Sequence, residues 1–360
     1  MAFFGVTIEE IEEIKPHPNA DRLEIASLCG MNFQFCVEKG KWKNGMKCLY
    51  FSIDSLFPFE LMEVMKLTKK VKNKEGIYED RGMLSGKEYN RLKTARLRDV
   101  ISQGLIGPLS LIDGLKEVTS ETITEFLGIK KYEPPAIPCH NADLHKLPSE
   151  LSVYDIEGAD RFSEIAKKIM DRKVWVTEKI EGQNFSVTFR PKTDEFFVNQ
   201  RNYTIIPKDG NIHTFWKIAN DLKLYDSLKE HYQDFESITL YGEAIGPGIQ
   251  KNIYSLRGHT VLFFDVKVDG NFLNVKNKIE ILKELGLIKR NIVPRLGIDV
   301  ILREWLNGKT IQEASNGHTI LNDSNIYREG IVITPMEEDR DESIGRLVLK
   351  QRSSLYLERE

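Results

Sequence analysis

Over residues 1–131 apolar and polar positions alternate in short runs, and the runs predict strands rather than helices. Candidate strands fall at 6–14, 23–28, 33–38 and 47–51, separated by Gly, Asn or Pro, with closing runs at 95–102 and 105–109 after a long basic excursion. Many short strands between turn signals are the profile of a small all-β barrel. From 132 to 150 the pattern lapses into a proline-rich stretch without periodicity, which predicts a linker and a second domain over 151–360.

Both periods occur in that second part. Residues 173–190, KVWVTEKIEGQNFSVTFR, read as strand, turn and strand: Val174, Trp175, Val176 and Thr177, then a polar break at Gly182, then alternating Phe185, Val187 and Phe189. Period two puts Lys179 on one face with Thr177 and Trp175, opposite Val174 and Val176. A lysine there, beside a turn, can be aimed into a cleft. Further strands are expected at 196–202, 239–245, 260–266, 328–333 and 347–353, and helices at 161–172, 213–222, 227–235, 277–285 and 298–306. The last two helices end at Gly286 and Gly308, as a left-handed cap requires.

Composition narrows the function classes. An apolar content of 41% in 360 residues is ample for two cores. The longest apolar runs are strand-length, so an intracellular, cytoplasmic protein without membrane association is expected, acting as a monomer. Cys29, Cys36, Cys48 and Cys139 show no CxxC spacing and are expected reduced and structural, and the Cys139–His145 segment lacks a second ligand pair and reads as linker rather than zinc site. A net charge of −3 excludes a global basic field, but residues 66–98 hold eleven Lys or Arg against four Asp or Glu, a local balance of +7 that leaves the rest at −10. Lys69, Lys70, Lys72, Arg96 and Arg98 in this stretch are candidates for RNA phosphates.

Two resemblances sharpen the reading. The segment Ile14-Lys15-Pro16-His17-Pro18-Asn19-Ala20-Asp21-Arg22-Leu23 resembles the opening of tRNA-binding OB modules found on some synthetases, which implies an OB fold for 1–131 and leaves its ligand open. Downstream, Lys-Ile-Glu-Gly at 179–182, the arginine of Asn-Gln-Arg-Asn at 199–202, Tyr-Gly-Glu at 241–243, Phe-Phe-Asp at 263–265, Glu-Gly-Ile-Val-Ile at 329–333 and Leu-Lys-Gln-Arg at 349–352 resemble, in order and spacing, the motifs of the covalent nucleotidyltransferases, the superfamily of polynucleotide ligases and mRNA capping enzymes. The OB-like module stands before these motifs, an order similar to ATP-dependent RNA ligases with an N-terminal OB domain; the segments 94–105 and 248–254 resemble that subgroup as well. The implied class is α+β, an OB barrel followed by an adenylyltransferase domain of antiparallel sheets flanked by helices.

The chemistry can be set out without the name. A lysine attacking the α-phosphorus of ATP must be unprotonated, yet at a free pKa of about 10.4 fewer than roughly one in a thousand are at pH 7. Nearby cations lower that value and also offset charge as pyrophosphate leaves. The resemblance implies that Lys179 becomes a lysyl-AMP. It further implies that Thr177, Glu178, Ile180 and Asn184 flank the nucleotide or the phosphates, and that Arg201 contacts the ribose or the acceptor 5′-phosphate. Glu243 would bind the ribose hydroxyl, Phe264 would stack on adenine, and Lys350 and Arg352 would grip the α-phosphate. Glu329 and Glu181 would hold Mg²⁺ or Mn²⁺ through hard oxygen donors. Two positions depart from the usual pattern: Glu181 stands where Asp is usual, and Arg352 where Lys is usual.

The implied activity is sealing of 3′-hydroxyl/5′-phosphate breaks in RNA, as in repair, on a nicked or bridged duplex or a tRNA-like fold. A GTP-using capping transferase, adenylate transfer to a protein and a non-catalytic RNA-binding protein with a vestigial transferase domain stay open as alternatives at this point.

Overall fold

The structure, a computed structural model, describes residues 4–72, 76–132, 142–208, 212–322 and 325–358. Two compact units divide it: one of residues 4–132 with 160–163, the other of 142–159 and 164–358. Among the described residues no helix is long and apolar enough to cross a membrane. Cys139, His140 and Asn141, the start of the Cys139–His145 segment, lie outside the described residues.

In the front unit five antiparallel strands run in the order Leu105–Gly107, Lys47–Phe51, Thr7–Pro16, Leu23–Leu28, Gln34–Glu38. The first strand shifts register between Ile11 and Glu13, the bend that lets one strand serve both halves of a barrel. Closure is nearly complete, because Gln103 N donates to Gln34 O (3.0 Å) and Cys36 N donates to Ser102 Oγ (3.0 Å). The Lys47–Phe51 strand is buried on both faces: Cys48 and Tyr50 pack inward with Ile11, Leu28 and Phe35, while Leu49 and Phe51 meet Phe57, Leu61, Met62 and Ile123 outside. The expected barrel is therefore present with a second layer on its back.

The resembling segment at 14–23 has a structural task in this barrel. His17 Nδ1 accepts from Asn19 N (3.0 Å), which leaves Nε2 as the donor to Leu97 O (3.0 Å), and Asn19 Nδ2 donates to Arg98 O (3.2 Å). It thus latches the hairpin of Ala95–Leu97 and Val100–Ser102, which carries Arg96 and Arg98.

Two sheets build the second unit. The larger has seven strands, in the order Ala142–Lys146, Tyr203–Pro207, Glu195–Gln200, Gln183–Arg190, Ile238–Ile245, Thr260–Val268, Asn271–Phe272. On one face Phe185, Val187, Phe189, Leu240 and Phe263 pack against Phe215, Ile218, Leu224, Leu228 and Leu282 of the helices Thr214–Asp221, Leu224–His231 and Val275–Glu284. The smaller sheet runs Glu157–Gly158, Leu349–Arg352, Gly330–Pro335, Lys173–Lys179, Arg295–Ile301, antiparallel except for its first pair. Trp175, Ile180, Ile245, Tyr254, Leu262, Val275 and Val293 form a core joining the two sheets.

Three expectations are corrected. Ala142–Lys146, inside the stretch read as linker, is a strand paired with Tyr203–Pro207; its Asp143, Leu144 and His145 are too short a run to show alternation. The helix expected at 161–172 is confined to Ser163–Lys168, after which i+3 hydrogen bonds such as Met170 N to Lys167 O tighten the chain into turns. Residues 298–301 belong to the strand Arg295–Ile301, where β-branched Ile298, Val300 and Ile301 pair beside the lysine strand, and only Leu302–Leu306 is helical.

Candidate active site

Strand register gathers the candidate residues. Lys179 lies opposite Gly330, which lies opposite Arg352; one step earlier Thr177, Val332 and Lys350 make the same row. Period two turns Lys179, Lys350 and Arg352 to the same face, whereas Gln351 turns the other way to Gln312 (2.7 Å). Gly330 is required by this row, since a Cβ there would lie 2.0 Å from Gln351 O. In the facing sheet Asn184 lies opposite Glu243, and Arg201 follows Gln200, the partner of Phe185. Gly182 lets the turn after Lys179 reach that strand, because a Cβ would stand 2.4 Å from Ala244 O and 2.7 Å from Glu243 Cγ.

Charge is concentrated here and paired. Lys179 Nζ is 2.6 Å from Glu329 Oε1, which is 3.8 Å from Arg352 Nε. Burial pushes the Glu243 carboxyl up to about 8; Lys179 and Arg201 act against that shift, and Glu329 adds to it. Burial also holds the Lys350 ammonium below its usual value, with Lys179 adding to the effect and Asp155 opposing it. Asp155 links Lys350 (3.4 Å) to Arg201 (2.9 Å).

Glu181, two residues past the lysine, accepts from Tyr356 Oη (2.7 Å) and from Lys251 N (3.3 Å), and its own N–H donates to Tyr254 Oη (2.9 Å). Phe264 is half-buried, with its ring 5.0 Å from that of Tyr154. Tyr154 donates to Asp265 (2.8 Å), whose carboxylate also meets Lys278 (2.6 Å) and Arg346 (2.8 Å). Burial alone would raise the Asp265 pKa, but these two cations outweigh it and hold the carboxyl below its usual range.

Several candidate side chains are not brought in. Glu178 is on the opposite face of its strand from Lys179 and is buried against the 319–320 segment, accepting from Ile320 N (2.9 Å). Thr177 shares the lysine face, and Ile180 belongs to the core between the sheets. Lys69, Lys70 and Lys72 stand exposed on the front unit's hairpin of Thr68–Lys72 and Tyr78–Gly82, as do Arg96 and Arg98 on theirs. Tyr154, Asp155, Tyr254, Tyr356, Lys278 and Arg346 were missed by sequence reasoning, and Asp265 was seen only as part of Phe-Phe-Asp.

Among the described residues no group of three or more His, Cys, Asp or Glu is placed to hold a metal. The donors at hand, the carboxylates of Glu329 and Glu181, are hard oxygens. That set fits a hydrated Mg²⁺ or Mn²⁺, which takes one or two carboxylates and leaves other positions to water and phosphate.

The model of the RNA ligase family matches residues 172–351, the span from the lysine strand to Gln351. The chain belongs to the RNA ligase family. An OB-fold domain model matches residues 5–109 of this RNA ligase. Among solved structures, Naegleria gruberi RNA ligase with PPi is 26% identical at a TM-score of 0.77, covering 99% of this chain and 98% of that one. A lysine-to-methionine variant of the same enzyme with AMP and Mn gives 25% and 0.76 at the same coverage, and a glutamate-to-alanine variant with ATP and Mn gives 26% and 0.75. No curated protein matches the chain. The likeness spans both units, so the RNA ligase assignment and the OB barrel are parts of one resemblance.

Proposed function

We propose that this RNA ligase uses ATP and a divalent metal to seal 3′-hydroxyl/5′-phosphate breaks, with Lys179 as the nucleophile. The observation that carries the reading is the ion pair of Lys179 Nζ with Glu329 at 2.6 Å, set on the same strand row as Arg352 and beside Lys350. The ATP, AMP, PPi and Mn of the Naegleria structures support the same choice of nucleotide and metal.

In the first step the Lys179 amine, its proton lost to solvent, forms a bond to the α-phosphorus. The bond from that phosphorus to the bridging oxygen breaks and pyrophosphate leaves. Lys350 and Arg352, one strand away, hold the α-phosphate oxygens. Glu243, protonated below about 8, donates to or accepts from a ribose hydroxyl. Phe264, half-buried beside Tyr154, offers its ring to adenine. Glu329 and Glu181 would hold the divalent ion, whose positive charge would offset that of the phosphate oxygens. In the later steps an RNA 5′-phosphate takes the AMP, and a 3′-hydroxyl displaces it; Arg201 and Asn184 face the incoming phosphate. A nicked or bridged duplex holds both ends in line, and the exposed Lys69, Lys70, Lys72, Arg96 and Arg98 bind its backbone.

Intact-mass measurement after incubation with ATP and Mn²⁺ tests the first step. The wild type gains one AMP that survives denaturation, Lys179→Ala gains none, and GTP gives no adduct. Sealing of a nicked duplex whose 3′-hydroxyl strand is RNA or DNA tests the rest, and equal rates on both would defeat the RNA assignment.

A further inference from the structure

Beyond the last motif the chain turns through one short helix, Ser354–Leu357, that sequence reasoning gave no role. It is fixed at several points. Ser353 Oγ caps it by accepting from Tyr356 N (3.2 Å). The Asn316 side-chain oxygen accepts from Ser353 Oγ (2.8 Å), Ser354 Oγ (3.1 Å) and Leu355 N (3.3 Å). Gln312 Nε2 donates to Arg352 O (3.0 Å) just before it. So anchored, the helix buries Tyr356 and brings its hydroxyl to Glu181 Oε2 at 2.7 Å, while the Arg352 guanidinium lies 5.7 Å from the ring centroid.

We infer that Tyr356 is a positioning residue for Glu181. A glutamate has one more rotatable bond than the aspartate usual at this place, so its carboxylate has more freedom to lose. Here that freedom is restricted: one oxygen accepts from Tyr356, the other from Lys251 N, and the Glu181 amide is held by Tyr254. A hydrogen bond from a phenol to a carboxylate is charge-assisted and strong for a neutral donor. Tyr356 therefore sets where a carboxylate two residues from the nucleophile presents its charge, and it supports Arg352 through its ring. The inference rests on the proposed role of Glu181 in holding a divalent ion, and it touches neither ATP nor RNA directly.

The test separates hydroxyl from ring and needs no turnover for its decisive part. Tyr356→Phe keeps the ring beside Arg352 and removes the hydroxyl that bonds Glu181. In a wild-type background it is expected to slow AMP transfer to Lys179 about tenfold, the scale of one lost charge-assisted hydrogen bond, with a small fall in melting temperature that leaves the protein folded in the assay. In a Glu181→Ala background the same change is expected to cost less than about twofold, because the group it acts through is gone. Mn²⁺ alone, titrated into the free protein and read by the EPR signal of the unbound ion, should bind more weakly to Tyr356→Phe than to wild type, and equally to Glu181→Ala with or without the second change. Equal Mn²⁺ binding by wild type and Tyr356→Phe, or equal slowing in both backgrounds, overturns the inference. A wild type that takes up no nucleotide would sink the proposed function, while the Mn²⁺ comparison would still decide the role of Tyr356.

Discussion

In the front unit Lys69, Lys70, Lys72, Arg96 and Arg98 stand on two exposed hairpins, whereas in the second unit Asp265, Lys278 and Arg346 are packed away from water and paired. The side chains of Asp265 and Lys278 are 2% and 1% exposed, so each depends on its partner for its charge to be tolerated. Exposed cations are free to exchange partners and salt screens them; buried ones hold one geometry and barely respond to salt. On the proposed function the contrast separates two uses of charge within one polypeptide: long, adjustable arms for a polyanion, and a fixed set of pairs beneath a few reacting groups.

The largest effect should come from the proposed nucleophile, whose own pair is Glu329. Lys179→Ala is expected to abolish covalent AMP altogether in the intact-mass assay, while leaving RNA binding by gel shift unchanged. If RNA binding fell in parallel, the division between the two uses would be wrong.

Next in size is Asp265→Asn, which leaves the buried Lys278 ammonium without its carboxylate, while Arg346 keeps Glu338. A loss of about 3–5 kcal/mol is expected from breaking a buried pair on one side, read by urea unfolding. Arg96→Ala in the front unit should stay within about 0.5 kcal/mol in the same measurement.

A smaller effect concerns pH. Glu243, pushed up to about 8 by burial, is protonated in the folded state at pH values where the unfolded chain is ionised. Its contribution to stability is therefore complete below its unfolded value, near 4.5, falls as pH rises from there, and levels off once pH passes about 8. Glu243→Gln should flatten that part of the melting-temperature profile between pH 5 and 8 in nucleotide-free protein. A profile unchanged by the substitution would mean that the carboxyl is ionised throughout.

The smallest change is expected for single lysines of the front hairpin. Lys69→Ala or Lys70→Ala should lower the slope of log K against log salt for duplex RNA by about one, with AMP transfer to Lys179 untouched. A slope that does not move would remove that lysine from the RNA surface.

The same contrast governs what could be read from sequence. Lys179 and its strand were legible because β-branched runs, a polar turn and alternation agree over 173–190, and because six motifs recur in order. Gly182 and Gly330 were visible as motif letters, and the structure supplies their reason in two backbone approaches closer than any Cβ permits. Ile298, Val300 and Ile301 were misread because a short apolar run fits either period, and only the neighbouring lysine strand decides it. Tyr154 meets Asp265 across 111 positions and Tyr356 meets Glu181 across 175, and neither carries any local pattern. Glu178 came with the motif as Lys179's neighbour, and in a strand a neighbour's side chain turns to the opposite side.

Lys179, Gly330 and Arg352 stand level across three neighbouring strands, and Thr177, Val332 and Lys350 stand level beside them. A change of length here displaces several of these residues at once, as no single exchange does. One amino acid inserted just before Leu349 would swing Lys350 and Arg352 toward Gln312 and offer the cleft Leu349 and Gln351 instead. The small sheet is a ruler: descendants of this sequence can repaint its marks, but they cannot renumber it.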